Sequence, residues 1–267
     1  MLGAIVGDIV GSPYEGRPIK TKRFPLFGDG CCFTDDTVCT LAVANALISG
    51  GDFAASLRSF ARRFPDAGYG SRFSDWFRTD GAGPYNSMGN GSAMRVSPVA
   101  YVAREQAEVL VLAERTARVT HNHPAGVAGA QATALAIWLA RQGEAPGAIR
   151  TAIAGHFGYD LSPSVSQLRG SYGYDVTCAG TVPPALTCAL EAADFEDALR
   201  NAVSLGGDAD TLACIAGGLA EALFGIPKVI ARRALGYLPE DLLETLRRFD
   251  KHCICFKRLR YFSLRIW

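Results

Sequence analysis

Hydrophobic positions recur at helical spacing in two segments that each follow a short acidic turn. The first turn is residues 34–37 (TDDT), and the second is residues 206–211 (GGDADT). After the first come Val38, Leu41, Ala42, Ala44 and Leu47, and after the second Leu212, Ile215, Ala216, Leu219 and Leu223. Spacings of three and four place such residues on one face of a helix. The pattern therefore predicts that a helix begins at each acidic turn, the first over residues 36–49.

The N-terminal run, residues 2–12, is apolar and contains glycine at every fourth position: Gly3, Gly7 and Gly11. That spacing places the glycines on one helical face, where a second helix can approach closely. Because Ile and Val also favour strands, a buried strand is the alternative for this run. Further helices are predicted at 52–64, 95–118, 125–142, 145–157, 182–194, 195–205 and 239–252.

Strand signals are few, because no long run alternates hydrophobic and polar residues, and no repeat of fixed period is present. With 267 residues and 49% hydrophobic content, the chain can form one large domain, which we place at residues 1–250. The predicted fold class is all-α, a single compact multi-helix orthogonal bundle with a dinuclear metal site at helix N-termini.

The net charge of the chain argues against partners that bind through an overall electrostatic attraction. A formal net charge of +1 gives no overall field for nucleic acid or for a membrane surface. No apolar run reaches the roughly 20 residues of a membrane helix, and the N-terminus lacks a basic leader. Residues 251–267 turn basic and aromatic, a composition that can bind nucleic acid or a membrane, although we favour a packed or frayed tail. We expect a monomer without a membrane or nucleic-acid partner.

Cysteine usage indicates a reducing compartment. The chain has eight cysteines and no CxxC pair. Four of them fall inside apolar segments: Cys39, Cys178, Cys188 and Cys214. They are interpreted as reduced, small core residues, which predicts a cytoplasmic protein.

Both acidic turns lie where a helix begins. Thr34 is a candidate N-cap, and carboxylates in a first turn lie beside free backbone N–H groups. In a regular helix Asp208 and Asp210 would point about 200° apart, because successive residues step about 100°. If both serve one point, Asp208 lies outside the helix. The preceding pair Gly206-Gly207 permits that bend, since glycine adopts backbone angles that other residues avoid.

A gathered set of carboxylates repels itself and therefore calls for cations. The candidate metal ligands are all oxygen donors: Thr34, Asp35, Asp36, Asp208, Asp210 and Thr211. That set suits magnesium or manganese, calcium less well, and zinc or copper not at all. Two divalent ions balance four negative charges, so we predict two Mg²⁺, with Mn²⁺ as the alternative. The simpler interpretation is that these carboxylates only cap helices.

Two loops carry further candidates. Glu15 follows the break at residues 12–14, where a ligand can reach it, although a lone loop glutamate is more often a solvated charge. Residues 65–92 form a long loop rich in glycine and aromatic residues, which is usually functional or disordered, and the aromatic residues argue against disorder. The loop ends in small residues that run into a helix, and free N–H groups there suit a phosphate.

A histidine pair and a second glycine-rich loop complete the list. His121 and His123 are spaced like metal ligands, but no third soft ligand is near in the sequence. We therefore expect His121 to cap a helix or contact a ligand rather than bind a metal. The loop at residues 170–176 adds Tyr174 and Val176 as candidate ligand contacts.

Taken in order, these motifs resemble the ADP-ribosylglycohydrolase family. The resemblance rests on Gly7-Asp8 with Glu15, on TDDT at 34–37, on GNGSAMR at 89–95, on Thr120-His121, and on GGDADT at 206–211. It covers residues 1–226, and five motifs in family order make it specific. It implies an all-helical fold and a site with two magnesium or manganese ions that removes ADP-ribose from a modified acceptor.

Residue by residue, the resemblance implies that the six oxygen ligands named above bind the metals. Around the diphosphate and distal ribose it places His121 and the loop Ser87, Met88, Gly89, Asn90 and Gly91. Glu15, Asp35 and Asp36 are the candidates for moving a proton during cleavage at the ribose anomeric carbon.

Members of the family differ in the acceptor, which is arginine, serine or a small O-linked species. Glu15 occupies the place of a glutamate in members that act on serine, which slightly favours an O-linked acceptor. Met88 departs from the tyrosine of that branch, so contacts with adenine or ribose differ. The expected partner is an ADP-ribosylated protein or a small ADP-ribose derivative. The alternatives are a hydrolase of a free small molecule and a non-catalytic ADP-ribose binder or crystallin-like structural relative.

Overall fold

The computed structural model describes residues 1–256 as helices joined by loops, with no strand in that range. The first eight helices are α1 Leu2–Gly11, α2 Asp35–Ser49, α3 Phe53–Arg63, α4 Ser71–Arg78, α5 Gly91–Met94, α6 Val99–Val102, α7 Gln106–Arg118 and α8 Pro124–Arg141. The others are α9 Pro146–Phe157, α10 Val165–Ser171, α11 Cys178–Leu190, α12 Phe195–Val203, α13 Ala209–Phe224, α14 Lys228–Leu235 and α15 Glu240–Phe256. The predicted all-α class is confirmed.

The centre of the fold is the pair α1 and α13. Every residue of α1 is buried, and so is α13 from Ala209 to Ala220. The glycine face predicted for α1 is what brings the helices together, because a Cβ on Gly7 would lie 1.9 Å from the carbonyl oxygen of Ala213. Equivalent contacts hold at Gly3 and Gly11, where a Cβ would lie 2.2 and 2.5 Å from backbone oxygens of α13. The alternative of a buried strand for this run is wrong.

We expect Gly7→Ala to lower the free energy of unfolding by about 3 kcal/mol or more, since the obstacle is rigid backbone and the helices must separate. Gly155→Ala is the matched control, because the space around Gly155 in α9 is open to 4 Å. Alanine in an open helical position should raise stability by about 0.5–1 kcal/mol. Urea unfolding followed by circular dichroism measures both. A wild-type midpoint for Gly7→Ala would contradict the close α1–α13 contact.

Several predicted boundaries are wrong. The single helix expected at 95–118 is instead two helices, α6 and α7, and Pro98 and the extended Ala103 (ψ 137°) mark the ends of α6. The helix expected at 182–194 is α11, which begins four residues earlier at Cys178 and ends at Leu190. Thr177 caps it by accepting from the Gly180 N–H, and Pro183 and Pro184 lie inside it. The predicted loop at 170–176 begins inside α10, which starts with a capping box at Ser164 and ends at Ser171.

The C-terminal change of composition does not end the last helix, because α15 continues to Phe256. The rest of the predicted tail, residues 257–267, lies outside the described residues. No helix within 1–256 combines the length and the apolar character needed to cross a membrane. The cysteines described are free, and Cys39, Cys178, Cys188 and Cys214 are buried as predicted.

Candidate active site

The two acidic turns meet although they are about 170 residues apart in sequence. Asp36 in the first turn of α2 and Asp210 in the first turn of α13 are 1% and 3% exposed. Together with Asp8 they form a group whose carboxylate oxygens all lie within 4.8 Å of one another, a spacing that can hold a metal ion. The predicted convergence of the two helix starts is therefore observed.

A second acidic group extends the first one towards solvent. Glu15, Asp208 and Asp210 also offer oxygens within 4.8 Å of one another, and Asp210 belongs to both groups. Glu15 is exposed at the end of a short 3-10 turn over Ser12–Tyr14. The carboxylates thus form a continuous row from the buried Asp8 to the exposed Glu15.

The geometry of the second turn follows from its glycines. Gly206 and Gly207 have φ values of 70° and 76°, the left-handed region that favours glycine. They bend the chain so that Asp208 is the N-cap residue and α13 begins at Ala209. Asp208 thus lies outside the helix, as predicted, and it accepts a 2.6 Å hydrogen bond from the Asn90 amide.

Asp8 is missing from the predicted ligand set. It is fully buried in α1, and its carboxylate accepts from the backbone N–H groups of Thr34 (2.9 Å) and Thr37 (3.1 Å) and from both threonine hydroxyls. It therefore fixes the N-terminus of α2 against α1. A single acidic residue within the apolar run 2–12 was the available sequence signal, because a buried carboxylate needs partners.

The threonine hydroxyls are oriented by carboxylates. Thr34 donates to Asp8 at 2.6 Å, and Thr211 donates to Asp36 at 3.2 Å. A hydroxyl has one hydrogen and two acceptor lone pairs. Thr34 Oγ1 also accepts from the Asp36 N–H at 3.4 Å, so at least one lone pair of each hydroxyl stays available to a cation.

The buried carboxylates have no positive partner. No ion pair within residues 1–256 involves Asp8, Asp36, Asp208 or Asp210. Burial, followed by the charges of neighbouring carboxylates, raises the pKa of Asp36 and of Asp210 well above the usual range. The buried Oδ1 atom of Asp36 has no hydrogen-bond partner. These features fit a site that binds hard divalent cations.

Asp35 stands apart from the two groups. It is the first residue of α2 and is half-buried. Among the described residues, Asp35 belongs to neither group of carboxylates whose oxygens lie within 4.8 Å of one another. Burial and the charges of Asp8, Asp208 and Glu15 raise its pKa to about 8. Its proposed role as a metal ligand remains a prediction.

The loop at 87–91 lies next to the acidic row and pairs with the start of α11. Asn90 N–H donates to Val176 O at 2.7 Å, and Cys178 N–H donates to Met88 O at 2.9 Å. This short antiparallel bridge pairs Gly89 with Thr177. Three large side chains next to the bridge in sequence are exposed: Met88, Tyr174 and Val176, at 48%, 64% and 45%. They form an apolar rim beside Asn90.

His121 packs against the loop at 87–91. A Cβ on Gly91 would lie 3.2 Å from His121 Nε2, so glycine permits the close approach. His121 Nδ1 lies 2.7 Å from the Thr120 hydroxyl, which accepts from Arg95 at 2.8 Å. Arg95 takes one of the two lone pairs, and among the described residues the hydroxyl hydrogen has no acceptor other than His121 Nδ1. We therefore assign the hydroxyl hydrogen to Nδ1 and the ring proton to Nε2. His123 instead caps α8, accepting from Ala125 N–H.

Burial and the positive charges of Arg95 and Arg72 lower the pKa of His121 well below its usual value. The imidazole is therefore a neutral ring that presents one N–H to the loop at 87–91. Arg95 itself is 1% exposed and contributes a buried positive charge behind the ring. This side of the site suits an anionic ligand, in contrast to the acidic row.

A profile of the family "ADP-ribosylglycohydrolase" matches residues 1–259. The "ADP-ribosylhydrolase ARH3" of Danio rerio is 25% identical, over 95% of this chain and 90% of that protein. The "ADP-ribosylarginine hydrolase Tri1" of Pseudomonas putida is 30% identical, over 85% of this chain and 70% of that protein. A solved structure titled "ADP-ribosylglycohydrolase-related protein complex" aligns with TM-score 0.66 and 28% identity, covering 95% of this chain and 94% of that one.

The fold and the matches define the class of protein, a glycosidase among the hydrolases. More particularly, the chain belongs to the ADP-ribosylglycohydrolase family. The resemblance carried by the five motifs is confirmed, and the match extends beyond residue 226.

Proposed function

We propose that this enzyme cleaves the bond between the anomeric carbon of ADP-ribose and an acceptor, with two divalent cations in the acidic row. Magnesium is the proposed cation, and manganese is the alternative. The proposed ligands are Thr34, Asp35, Asp36, Asp208, Asp210 and Thr211. The observation that carries the proposal is the convergence of buried, unpaired carboxylates beside a loop that suits an anion.

The donor set supports hard cations for three reasons. All the donors are oxygens, Asp36 Oδ1 lacks a partner, and the hydroxyls of Thr34 and Thr211 each keep a lone pair free. When bound, divalent cations hold ribose hydroxyls and lower the pKa of a water molecule. We include Glu15 as a further candidate ligand or proton carrier because it shares the second group.

The ligand is proposed to extend from the acidic row across the loop at 87–91. The diphosphate would accept from His121 Nε2–H and contact Ser87, Gly89 and Gly91. The distal ribose and adenine would lie along the exposed side chains of Met88 and Val176. Tyr174, which is near Asp208 and Glu15, would contact the proximal ribose. Asn90 links the two regions, since its amide is held by Asp208.

Cleavage passes through an oxocarbenium-like state, in which one carboxyl group moves a proton to the leaving group or from water. Glu15 is the preferred candidate because it is exposed, whereas Asp36 is buried. Burial and the charges of Asp208 and Asp8 raise the pKa of Glu15, which favours a group able to carry a proton. Asp35 is the second candidate.

The acceptor is proposed to be O-linked, with serine slightly favoured over arginine, because of the place of Glu15 in the resemblance. The arginine alternative has support from the 30% identity to a protein named an ADP-ribosylarginine hydrolase. A panel of serine-linked peptide, arginine-linked peptide and small O-linked ADP-ribose derivative decides between them. Free ADP-ribose is measured with magnesium, with manganese and with a chelator. Release from no substrate, or undiminished release with chelator, would overturn the proposal.

The histidine assignment gives a prediction of its own. We expect Thr120→Val to remove the donor to His121 Nδ1, so that the imidazole no longer holds its proton only on Nε2. Binding of ADP-ribose should weaken about tenfold, the effect of losing one hydrogen bond to a charged group. Thr120→Ser keeps the hydroxyl and is the control. Long-range ¹H–¹⁵N NMR reports the tautomer, and an Nδ1–H imidazole in the wild type would contradict the assignment.

A further inference from the structure

A groove of about 600 Å³ lies beside the candidate site, between α10, α11 and the loops that flank α10. Its walls carry tyrosines and prolines: Tyr159, Tyr172, Tyr174, Pro163, Pro183 and Pro184. Asp160 and Asp175 also line it, and no lysine or arginine does so among the described residues. The α10–α11 groove therefore combines aromatic walls with negative charge.

Neither carboxylate is neutralised by a basic residue within residues 1–256. Asp160 Oδ1 accepts from the Ser162 N–H (2.9 Å) and hydroxyl (2.6 Å). Asp175 Oδ1 accepts from the Thr177 N–H at 2.7 Å. These local bonds hold both side chains in place and leave both charges without a counter-ion.

The floor of the groove adds backbone acceptors. Pro183 and Pro184 lie inside α11, and proline has no N–H to donate to the carbonyl four residues earlier. The carbonyls affected are those of Ala179 and Gly180, and both residues line the groove. A ligand rich in hydrogen-bond donors can satisfy them. The groove thus offers acceptors and aromatic faces, which is the complement of a guanidinium or ammonium group.

The groove adjoins the candidate site through shared hydrogen bonds. Asn90 donates to Asp208 at 2.6 Å and to the Thr181 hydroxyl at 3.1 Å, and that hydroxyl donates to the Asp175 carbonyl at 3.0 Å. Tyr174 belongs to both places, since it lines the groove and its pKa is raised by burial and then by the charges of Asp208, Glu15 and Asp210. A chain that leaves the acidic row can therefore reach the groove.

Two basic residues near the groove already have hydrogen-bond partners. Lys20 Nζ donates to the carbonyls of Tyr172 (2.7 Å) and Leu205 (2.5 Å). Arg169 Nε donates to the Ser204 hydroxyl at 2.8 Å. Neither residue lines the groove. The groove therefore receives no positive charge from these two residues, and a cationic ligand can supply it.

We propose that the α10–α11 groove binds an arginine or lysine side chain of the acceptor polypeptide, close in sequence to the ADP-ribosylated residue. This inference rests on the proposed function, and it makes a modified protein segment, rather than a free small derivative, the preferred substrate. Specificity then comes from the residues that flank the modification as well as from the linkage.

The test uses ADP-ribosylated peptides that carry an arginine near the modified residue, matched peptides with glutamine there, and a small O-linked derivative. The double variant D160N/D175N removes both charges and keeps each oxygen that caps a turn. Ala179→Lys is a second variant. Ala179 is exposed on α11 and lines the groove, so the new ammonium group would occupy the groove in place of the peptide's cation. Asp52→Asn, the N-cap of α3, is the matched control for the loss of an exposed carboxylate.

We expect kcat/KM for the arginine-flanked peptide to exceed that for the glutamine peptide by about tenfold in the wild type. In D160N/D175N and in Ala179→Lys, KM for the arginine-flanked peptide should rise to that for the glutamine peptide. The kcat/KM for the small O-linked derivative should stay at the wild-type value. Asp52→Asn should behave as the wild type. Equal use of the two peptides by the wild type, or a preference that survives in both groove variants, would overturn the inference.

Binding of the unmodified peptides separates this inference from the proposed function. Addition of the arginine peptide should shift the backbone NMR signals of residues 158–160 and 172–180, and the glutamine peptide should not. If no substrate releases ADP-ribose, the proposed function fails, and these shifts still decide whether the groove takes a cation. Absence of the shifts would overturn the groove assignment even in an active enzyme.

Discussion

Asp210→Asn is expected to lower kcat for ADP-ribose release by about 10²–10³-fold, the scale of removing a group that stabilises charge in the transition state. Asp210 belongs to both acidic groups, so its loss disrupts each of them. Release of ADP-ribose from the best substrate of the panel, at saturating magnesium, measures the effect. Activity within tenfold of the wild type would show that the acidic row is not the reaction centre.

The same change should stabilise the protein when metal is absent. Burial and the charges of Asp36 and Asp208 raise the pKa of Asp210, so the ionised cluster is costly without cations. An amide removes one of the charges and relieves that cost. The metal-free variant should therefore unfold at a higher temperature than metal-free wild type, while the rise in Tm on adding magnesium should shrink. A lower Tm together with an unchanged magnesium effect would contradict this.

Asp194→Asn provides the matched control. Asp194 is an N-cap residue like Asp208, but it caps α12 and accepts from the Asp197 N–H at 2.8 Å, away from the acidic row. Asparagine is also a good N-cap residue, so stability should change by only a few tenths of a kcal/mol. Activity and the magnesium-dependent rise in Tm should equal those of the wild type.

Glu15→Gln is expected to lower kcat by about 10²–10⁴-fold, the usual contribution of a proton-transfer group. The dissociation constant for ADP-ribose should stay within about threefold, since glutamine keeps the size of the side chain and the residue is exposed. Single-turnover rates together with calorimetric binding separate the two effects.

Glu144→Gln serves as the control, because Glu144 is an exposed glutamate in the loop between α8 and α9. It should leave both the rate and the binding unchanged. A Glu15→Gln enzyme with the wild-type rate would make Glu15 a structural residue, and Asp35 would become the leading proton carrier.

The central features of the fold could be predicted from local patterns. The glycine spacing of α1 identified the face on which α13 packs, and the acidic turns identified the starts of α2 and α13. Gly206-Gly207 before an Asp-Ala-Asp sequence was sufficient to place Asp208 outside its helix. These predictions succeeded because glycine and N-cap preferences act within a few residues.

The errors arose where tertiary contacts decide the outcome. Asp8 looked like an interruption of an apolar run, and its role depends on Thr34 and Thr37, which approach it only after α2 packs on α1. The start of α11 was placed four residues too late. Thr177 instead caps the helix six residues before Pro183, and the prolines lie inside it.

The α10–α11 groove had no signature in the sequence. Its two carboxylates come from loops on either side of α10, and its free carbonyls follow from prolines in a different helix. Only the folded chain brings these acceptors to one surface. The same holds for the Thr120 hydroxyl, which accepts from the buried Arg95 only after the chain folds.

The most direct measurement is anomalous diffraction at the manganese edge from crystals grown with Mn²⁺ and ADP-ribose. The account predicts two manganese peaks about 3.5–4 Å apart, bounded by Asp36, Asp208 and Asp210, with the ribose lying over them. ADP-ribose bound elsewhere, or bound beside these carboxylates with no manganese peak among them, would contradict it.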